Sequence, residues 1–161
     1  GIGKFTDILF HVEKPKESAY KIEGLEVASA SSGASEGGAK ELEVVDIKAL
    51  LAMGDIGHGE KVFKKCTACH QIAAGGKNMI GPNLWNVIGR KAGVVADYKY
   101  SKAMIAYGKE WTYEEMNSYL IKPQAYVKGT KMAFAGLRKE KDRASVILYM
   151  NSKSDNPKPL P

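Results

Sequence analysis

Cys66-Thr67-Ala68-Cys69-His70 is the stretch on which the reading of this chain turns. Two cysteines separated by two residues, with histidine directly after the second, form the attachment signature of a c-type haem. Residues three apart lie on the same side of one helical turn, so both sulfurs can reach the two vinyl groups along one porphyrin edge. The next residue, His70, is carried over the ring face, where its imidazole can ligate the iron. Such a pair also serves as a redox dithiol or as half of a zinc site. A structural zinc needs four ligands, and Cys66 and Cys69 are the only cysteines of the chain. No second pair completes that shell. The expected cofactor is one haem, held by thioethers at Cys66 and Cys69 with His70 as a metal ligand.

Charge separates the motif's surroundings from the rest. The chain has 161 residues and a formal net charge of +6, unevenly spread. Residues 1–54 hold six Lys/Arg against nine Asp/Glu, a balance of −3, whereas residues 55–153 hold seventeen against eight, a balance of +9. A basic surface suits acidic partners, and no nucleic-acid recognition motif accompanies it. No apolar run approaches the roughly 20 residues of a membrane-spanning helix. The chain begins Gly-Ile-Gly rather than Met, and no secretory signal is evident. The expectation is a truncated or processed product.

Composition divides the chain into five segments. Residues 1–27 open with the apolar run Gly-Ile-Gly-Lys-Phe-Thr-Asp-Ile-Leu-Phe, read as a membrane-proximal extension whose anchor has been removed, or as a surface helix. Residues 28–41 are Ala-, Ser- and Gly-rich and cannot bury enough apolar surface to offset the entropy of ordering. They are expected to form a flexible linker. Residues 42–54, with Val44, Val45, Ile47, Leu50, Leu51 and Met53, are expected to make a short docking helix. Residues 55–153 form the haem domain, and 154–161 a prolyl-rich tail expected to fray.

Within the haem domain, Asp55 is a plausible N-cap for a helix over 56–66. Gly59 in its middle costs about 1 kcal/mol against Ala, which suggests a close helix crossing, with Val62 and Phe63 on the buried face. Residues 71–100 read mostly as loop, punctuated by Gly75-Gly76, Gly81-Pro82, Gly89 and Gly93. A short helix is expected over 101–108. Another runs from the N-cap Thr112 to about Ile121, ended by Lys122-Pro123, with Glu114 and Glu115 at its positive end. After a loop over 124–137, a last helix spans 139–152. The fold class is all-α, with long loops that call for something large in the middle.

Histidine is scarce, with only His11, His58 and His70, and His58 is expected to face solvent. Among the six methionines most are core filler. Met132 differs because it lies in a loop, Val127-Lys128-Gly129-Thr130-Lys131-Met132-Ala133-Phe134, which can present a thioether to the open iron face opposite His70.

An ordered set of short motifs now carries a resemblance. Cys66–His70, Gly81-Pro82-Asn83-Leu84, Gly89-Arg90, Tyr98-Lys99-Tyr100-Ser101, Trp111-Thr112, Tyr119-Leu120, Lys122-Pro123 and Gly129-Thr130-Lys131-Met132 resemble, in order, the class I cytochromes c. The resemblance implies the class I cytochrome c fold, wrapped around one covalent haem. It implies His70 and Met132 as axial ligands and the Pro82 carbonyl as the group that orients the proximal imidazole. Arg90, Tyr100 and Trp111 match residues that hydrogen-bond a haem propionate. Tyr119 and Thr130 match hydroxyls near the methionine side, and Phe134 a shield over the haem. Gly59, Phe63 and Tyr149 match the crossing of the first and last helices. Trp85 and Met104 depart from common family residues.

With both axial positions filled, such a protein moves electrons rather than making bonds. The extension and linker resemble those of membrane-anchored cytochromes c of alphaproteobacterial respiratory chains. That resemblance implies a periplasmic carrier, tethered to the inner membrane, between a quinol–cytochrome c reductase and a haem–copper oxidase. Lys64, Lys65, Lys77, Lys128 and Lys131 flank the haem-enclosing segments and would steer acidic docking surfaces. The alternative is a haem sensor or haem enzyme whose methionine ligand is displaceable.

Overall fold

Six helices follow one another in the computed structural model, which describes residues 45–161: α1 (Ile47–Ala52), α2 (Ile56–Phe63), α3 (Lys102–Tyr107), α4 (Tyr113–Ile121), α5 (Pro123–Tyr126) and α6 (Glu140–Ser152). The extension over 1–27, the linker over 28–41 and Val44 lie outside the described residues. Among the described residues the only sheet-like pairing is an isolated antiparallel bridge between Lys91 and Glu110. No described helix is long and apolar enough to cross a membrane.

Local chemistry explains most helix starts. Four begin at a side chain that accepts a backbone N–H of the first turn, each satisfying a donor that has no intrahelical partner. Asp46 accepts from Lys48 and Ala49, Asp55 from His58, Ser101 from Met104, and Thr112 from Glu115. Lys139 stands at the start of α6 without a side-chain cap. Pro123 differs from expectation. It does end α4, but it also opens α5 from the N1 position, where its missing N–H has no partner to lose.

Helix α6 is the spine. Its buried positions, Arg143–Ile147 and Tyr149–Asn151, occupy nearly its whole circumference, and Ala144 and Ile147 are fully buried. The expected single apolar face is therefore incomplete, because α6 is packed by α1, α2 and α4 together. Arg143 stays buried because its guanidinium donates to Asn117 Oδ1 at 2.7 Å and to the Leu137 and Arg138 carbonyls at 2.9 Å. Helix α2 crosses α6 at Gly59. A Cβ there would lie 2.0 Å from the Ser145 carbonyl oxygen and 2.8 Å from Tyr149 Cβ. The Phe63 and Tyr149 rings meet beside that contact, 5.3 Å apart between centroids.

Three further expectations need correction. Helix α2 ends at Phe63, and the cysteine motif continues as a run of turns. His58 is not simply solvent-facing; its ring is half-buried and Nε2 donates to Asp142 Oδ1 on α6 at 2.9 Å. The tail does not fray. Asp155 accepts from Trp85 Nε1 at 2.9 Å and from Asn86 Nδ2 at 2.6 Å, while the Lys158 carbonyl accepts from Tyr113 Oη at 2.8 Å and Asn151 Nδ2 at 2.9 Å. Proline removes backbone donors without preventing neighbouring residues from being clasped in this way.

Candidate functional site

The turns after α2 fix the motif. Cys69 N donates to the Cys66 carbonyl at 3.0 Å and His70 N to the same oxygen at 2.9 Å. Hydrogen bonds spanning three and four residues keep both sulfurs on one side and carry His70 just past them. Its ring is then held from behind. His70 Nδ1–H donates to the Pro82 carbonyl at 2.8 Å, which fixes the tautomer and leaves the Nε2 lone pair free. Gly81 is required beside it, since a Cβ there would lie 2.2 Å from His70 Cε1 and 2.7 Å from Nε2. Burial pushes the His70 pKa below the usual imidazole range, with the Pro82 hydrogen bond opposing and Arg90 adding to the shift. Burial thus favours the neutral imidazole, the form a metal ligand takes. Burial, with Cys69 nearby, raises the Cys66 thiol to about 11. It is unlike the low-pKa cysteines of redox catalysts. Among the described residues no cluster of three or more His, Cys, Asp and Glu could hold a metal ion, so the zinc reading has no ligand set.

All eleven residues expected at the site line one cavity of about 400 Å³: Cys66, Cys69, His70, Pro82, Arg90, Tyr100, Trp111, Tyr119, Thr130, Met132 and Phe134. That volume falls within the roughly 300–1,000 Å³ of cofactor pockets. The far loop is braced from within. Tyr119 Oη and Thr130 Oγ1 are 3.2 Å apart, Thr130 Oγ1 accepts the Met132 N–H at 3.3 Å, and Lys131 Nζ donates to the Lys99 carbonyl at 2.7 Å. Arg90 donates to the Trp85 carbonyl at 2.7 Å and the Asn83 carbonyl at 3.0 Å. Burial lowers its pKa, with Tyr100 partly opposing, and it forms no ion pair with a carboxylate among the described residues. A cation held by carbonyls at the wall of an apolar cavity suits a ligand that brings its own carboxylates.

Sequence reasoning left several wall residues unassigned. Met104, Met116, Val146 and Met150 are buried and line the same cavity. Nothing in an apolar side chain's spacing tells a cavity wall from ordinary core. Trp85, whose role was open, donates its indole N–H to Asp155 of the tail.

The cytochrome c family profile matches residues 56–154. The chain is 37% identical to a cytochrome c homolog of Bradyrhizobium diazoefficiens over 99% of this chain and 86% of that protein. It belongs to the cytochrome c family. A cytochrome c-type cyt cy of Rhodobacter capsulatus is 46% identical over 67% of this chain and 54% of that protein. The solved structure of cytochrome cH from Methylobacterium extorquens aligns with a TM-score of 0.59 at 40% identity, covering 62% of this chain and all of that one. The fold is thus the class I cytochrome c fold expected from the sequence. The cofactor is covalent haem c, and the protein is an electron carrier.

The residues present fit that group. Cys66 and Cys69 would carry the thioethers, His70 Nε2 would reach the iron, and Arg90 would face a propionate. The haem supplies a one-electron couple. The chain supplies an oriented imidazole, a largely apolar wall, and a half-buried positive charge.

Proposed function

We propose that this cytochrome c carries single electrons through a haem ligated axially by His70 and Met132, accepting them from a quinol–cytochrome c reductase and delivering them to a haem–copper oxidase. One observation carries the ligand set: Met132, on a loop braced through Thr130, lines the same cavity as His70 and both cysteines. Thioether and imidazole together raise a haem's reduction potential, as delivery to an oxidase requires. Lys64, Lys77, Lys128 and Lys131 are exposed, and Lys65 and Lys131 reach the cavity rim. Their charge would steer acidic docking surfaces on both partners. The site of action is the periplasmic side of the inner membrane, with residues 1–41 as extension and tether to an anchor.

Met132→Ala tests the ligand. The weak far-red sulfur-to-iron absorption band should vanish and the reduced protein should bind carbon monoxide. Retention of the band would mean another sulfur ligates. For the partners, the second-order rate of electron delivery to a purified haem–copper oxidase should fall steeply as salt rises, because exposed charges are screened within about 10 Å at 0.1 M. A salt-independent rate would remove the lysine docking face.

A further inference from the structure

One side-chain cluster lies outside the cavity lining yet is continuous with it. Tyr107, the last residue of α3, and Tyr126, the last of α5, both donate to Glu115 Oε2 on α4, the second at 2.7 Å. Lys109 Nζ donates to Glu115 Oε1 at 3.0 Å. Both phenols and the carboxylate are half-buried. Inward from them the rings run without a break. Tyr107 and Trp111 are 5.3 Å apart between centroids and Trp111 and Tyr119 4.8 Å; Tyr126 lies 6.1 Å from Tyr107 and 6.4 Å from Tyr119. Trp111 and Tyr119 line the haem cavity, whereas Tyr107, Tyr126 and Glu115 do not. A closed circuit of four oxidisable rings thus joins the cavity wall to a carboxylate that solvent can reach.

Indole and phenol rings surrender single electrons to strong oxidants. A phenol that does so becomes a strong acid and stays neutral only if a base is already hydrogen-bonded to it. Four rings in mutual contact, with one carboxylate serving both outer phenols, meet both needs. We propose that Trp111, Tyr119, Tyr107 and Tyr126 form a protective relay that carries oxidising equivalents from the haem cavity to the surface, with Glu115 as proton acceptor.

The oxidant class is a peroxide that reaches the ferrous haem in the fraction of molecules whose Met132 thioether is off the iron, because with both axial positions filled it has no place to bind. Hydrogen peroxide takes two electrons and, from solvent, two protons, and leaves as two waters. One electron comes from ferrous iron, which becomes ferric, and the other from Trp111 or Tyr119. Tyr107 or Tyr126 refills that ring with an electron and passes its O–H proton to Glu115 Oε2, leaving a neutral phenoxyl radical and a neutral carboxyl. A thiol or ascorbate in solution returns the electrons singly, and Glu115 returns the proton. The resting protonation states agree. Burial and the bond to Glu115 push the Tyr107 phenol well above its ordinary range, and burial raises Tyr126 likewise. For Glu115 burial pushes upward, but the hydrogen bonds from Tyr107, Tyr126 and Lys109 outweigh it and hold the carboxyl below its ordinary range.

The relay rests on haem occupying the cavity, so haem content and the far-red band are recorded first on every sample. The holoprotein is then reduced, freed of excess reductant, treated with hydrogen peroxide, freeze-quenched for electron paramagnetic resonance, and mapped by mass spectrometry with a nitroso spin trap. Adducts should concentrate on Tyr107 and Tyr126. The double variant Tyr107→Phe, Tyr126→Phe should move them inward to Trp111 and Tyr119 and accelerate haem bleaching severalfold. Glu115→Gln keeps an acceptor oxygen and the fold but loses the base. It should cut the tyrosyl radical yield severalfold with the far-red band unchanged. Adducts on Tyr98 or Tyr100, which also contact the cavity or its rim, would overturn the proposal. So would an absence of ring radicals, or a Glu115→Gln variant with the wild-type yield and location.

Discussion

Two glycines in the same helix show how much one methyl group decides. At Gly59 an added Cβ meets the Ser145 carbonyl oxygen at 2.0 Å, backbone against backbone, so α2 and α6 must separate. At Gly57, two residues earlier, the nearest heavy atom is Asp55 Oδ1 at 3.4 Å, and the position is exposed. Gly59→Ala should therefore destabilise the protein by about 3 kcal/mol, at the upper end of overpacking costs. Gly57→Ala should stabilise it by up to about 1 kcal/mol, the helix-propensity difference. Urea midpoints of the two variants check the pair, and equal shifts would show that the crossing relaxes. Propensity alone treats the two positions alike; packing against α6 separates them.

Between elements, α2 and α6 are tied by a polar contact as well as by the glycine crossing. His58 Nε2 lies 2.9 Å from Asp142 Oδ1, and Lys65 Nζ lies 3.6 Å from Oδ2. The His58 hydrogen bond, aided by Lys65 and opposed by partial burial, holds the Asp142 carboxyl below its ordinary range. A carboxyl whose folded pKa is depressed contributes stability above its unfolded value, about 3.9 for Asp, and loses it as pH falls through the folded value. Asp142→Asn should thus cost about 1 kcal/mol at neutral pH, as expected of a partly exposed pair. The gap between variant and wild type should close below about pH 4. Denaturant titrations at neutral and acid pH decide this. A difference that persists in acid would assign the effect to packing.

For the molecule as a whole, the haem is core. The cavity of about 400 Å³ is walled by α4, α6 and the loops, so without its occupant those walls face nothing. At about 24 cal/mol per Å³ of residual cavity the loss approaches about 10 kcal/mol, comparable with the roughly 5–15 kcal/mol that stabilises a typical domain. A Cys66→Ala, Cys69→Ala chain purified without haem should lose fixed tertiary packing. The expected signs are a collapsed near-ultraviolet circular dichroism signal and fast amide exchange in α4 and α6. Sharp, protected native resonances in that haem-free chain would mean the helices pack without the cofactor.

What the sequence alone determined is what depends on neighbours in the chain. Asp55 and Thr112 cap α2 and α4, as their side chains indicate, because a cap bonds within three residues. Cys66, Cys69 and His70 were legible for the same reason, since attachment demands fixed local spacing. The ordered family motifs placed the remaining site residues on one cavity, although their spacing alone did not. Tertiary structure decided what depends on partners far along the chain. Such contacts include His58 with Asp142, Trp85 with Asp155, Arg143 with Asn117, and Glu115 with its two tyrosines. Each joins side chains that could equally have faced water. Only the packing of helices, loops and tail around the haem cavity brings them within hydrogen-bonding reach.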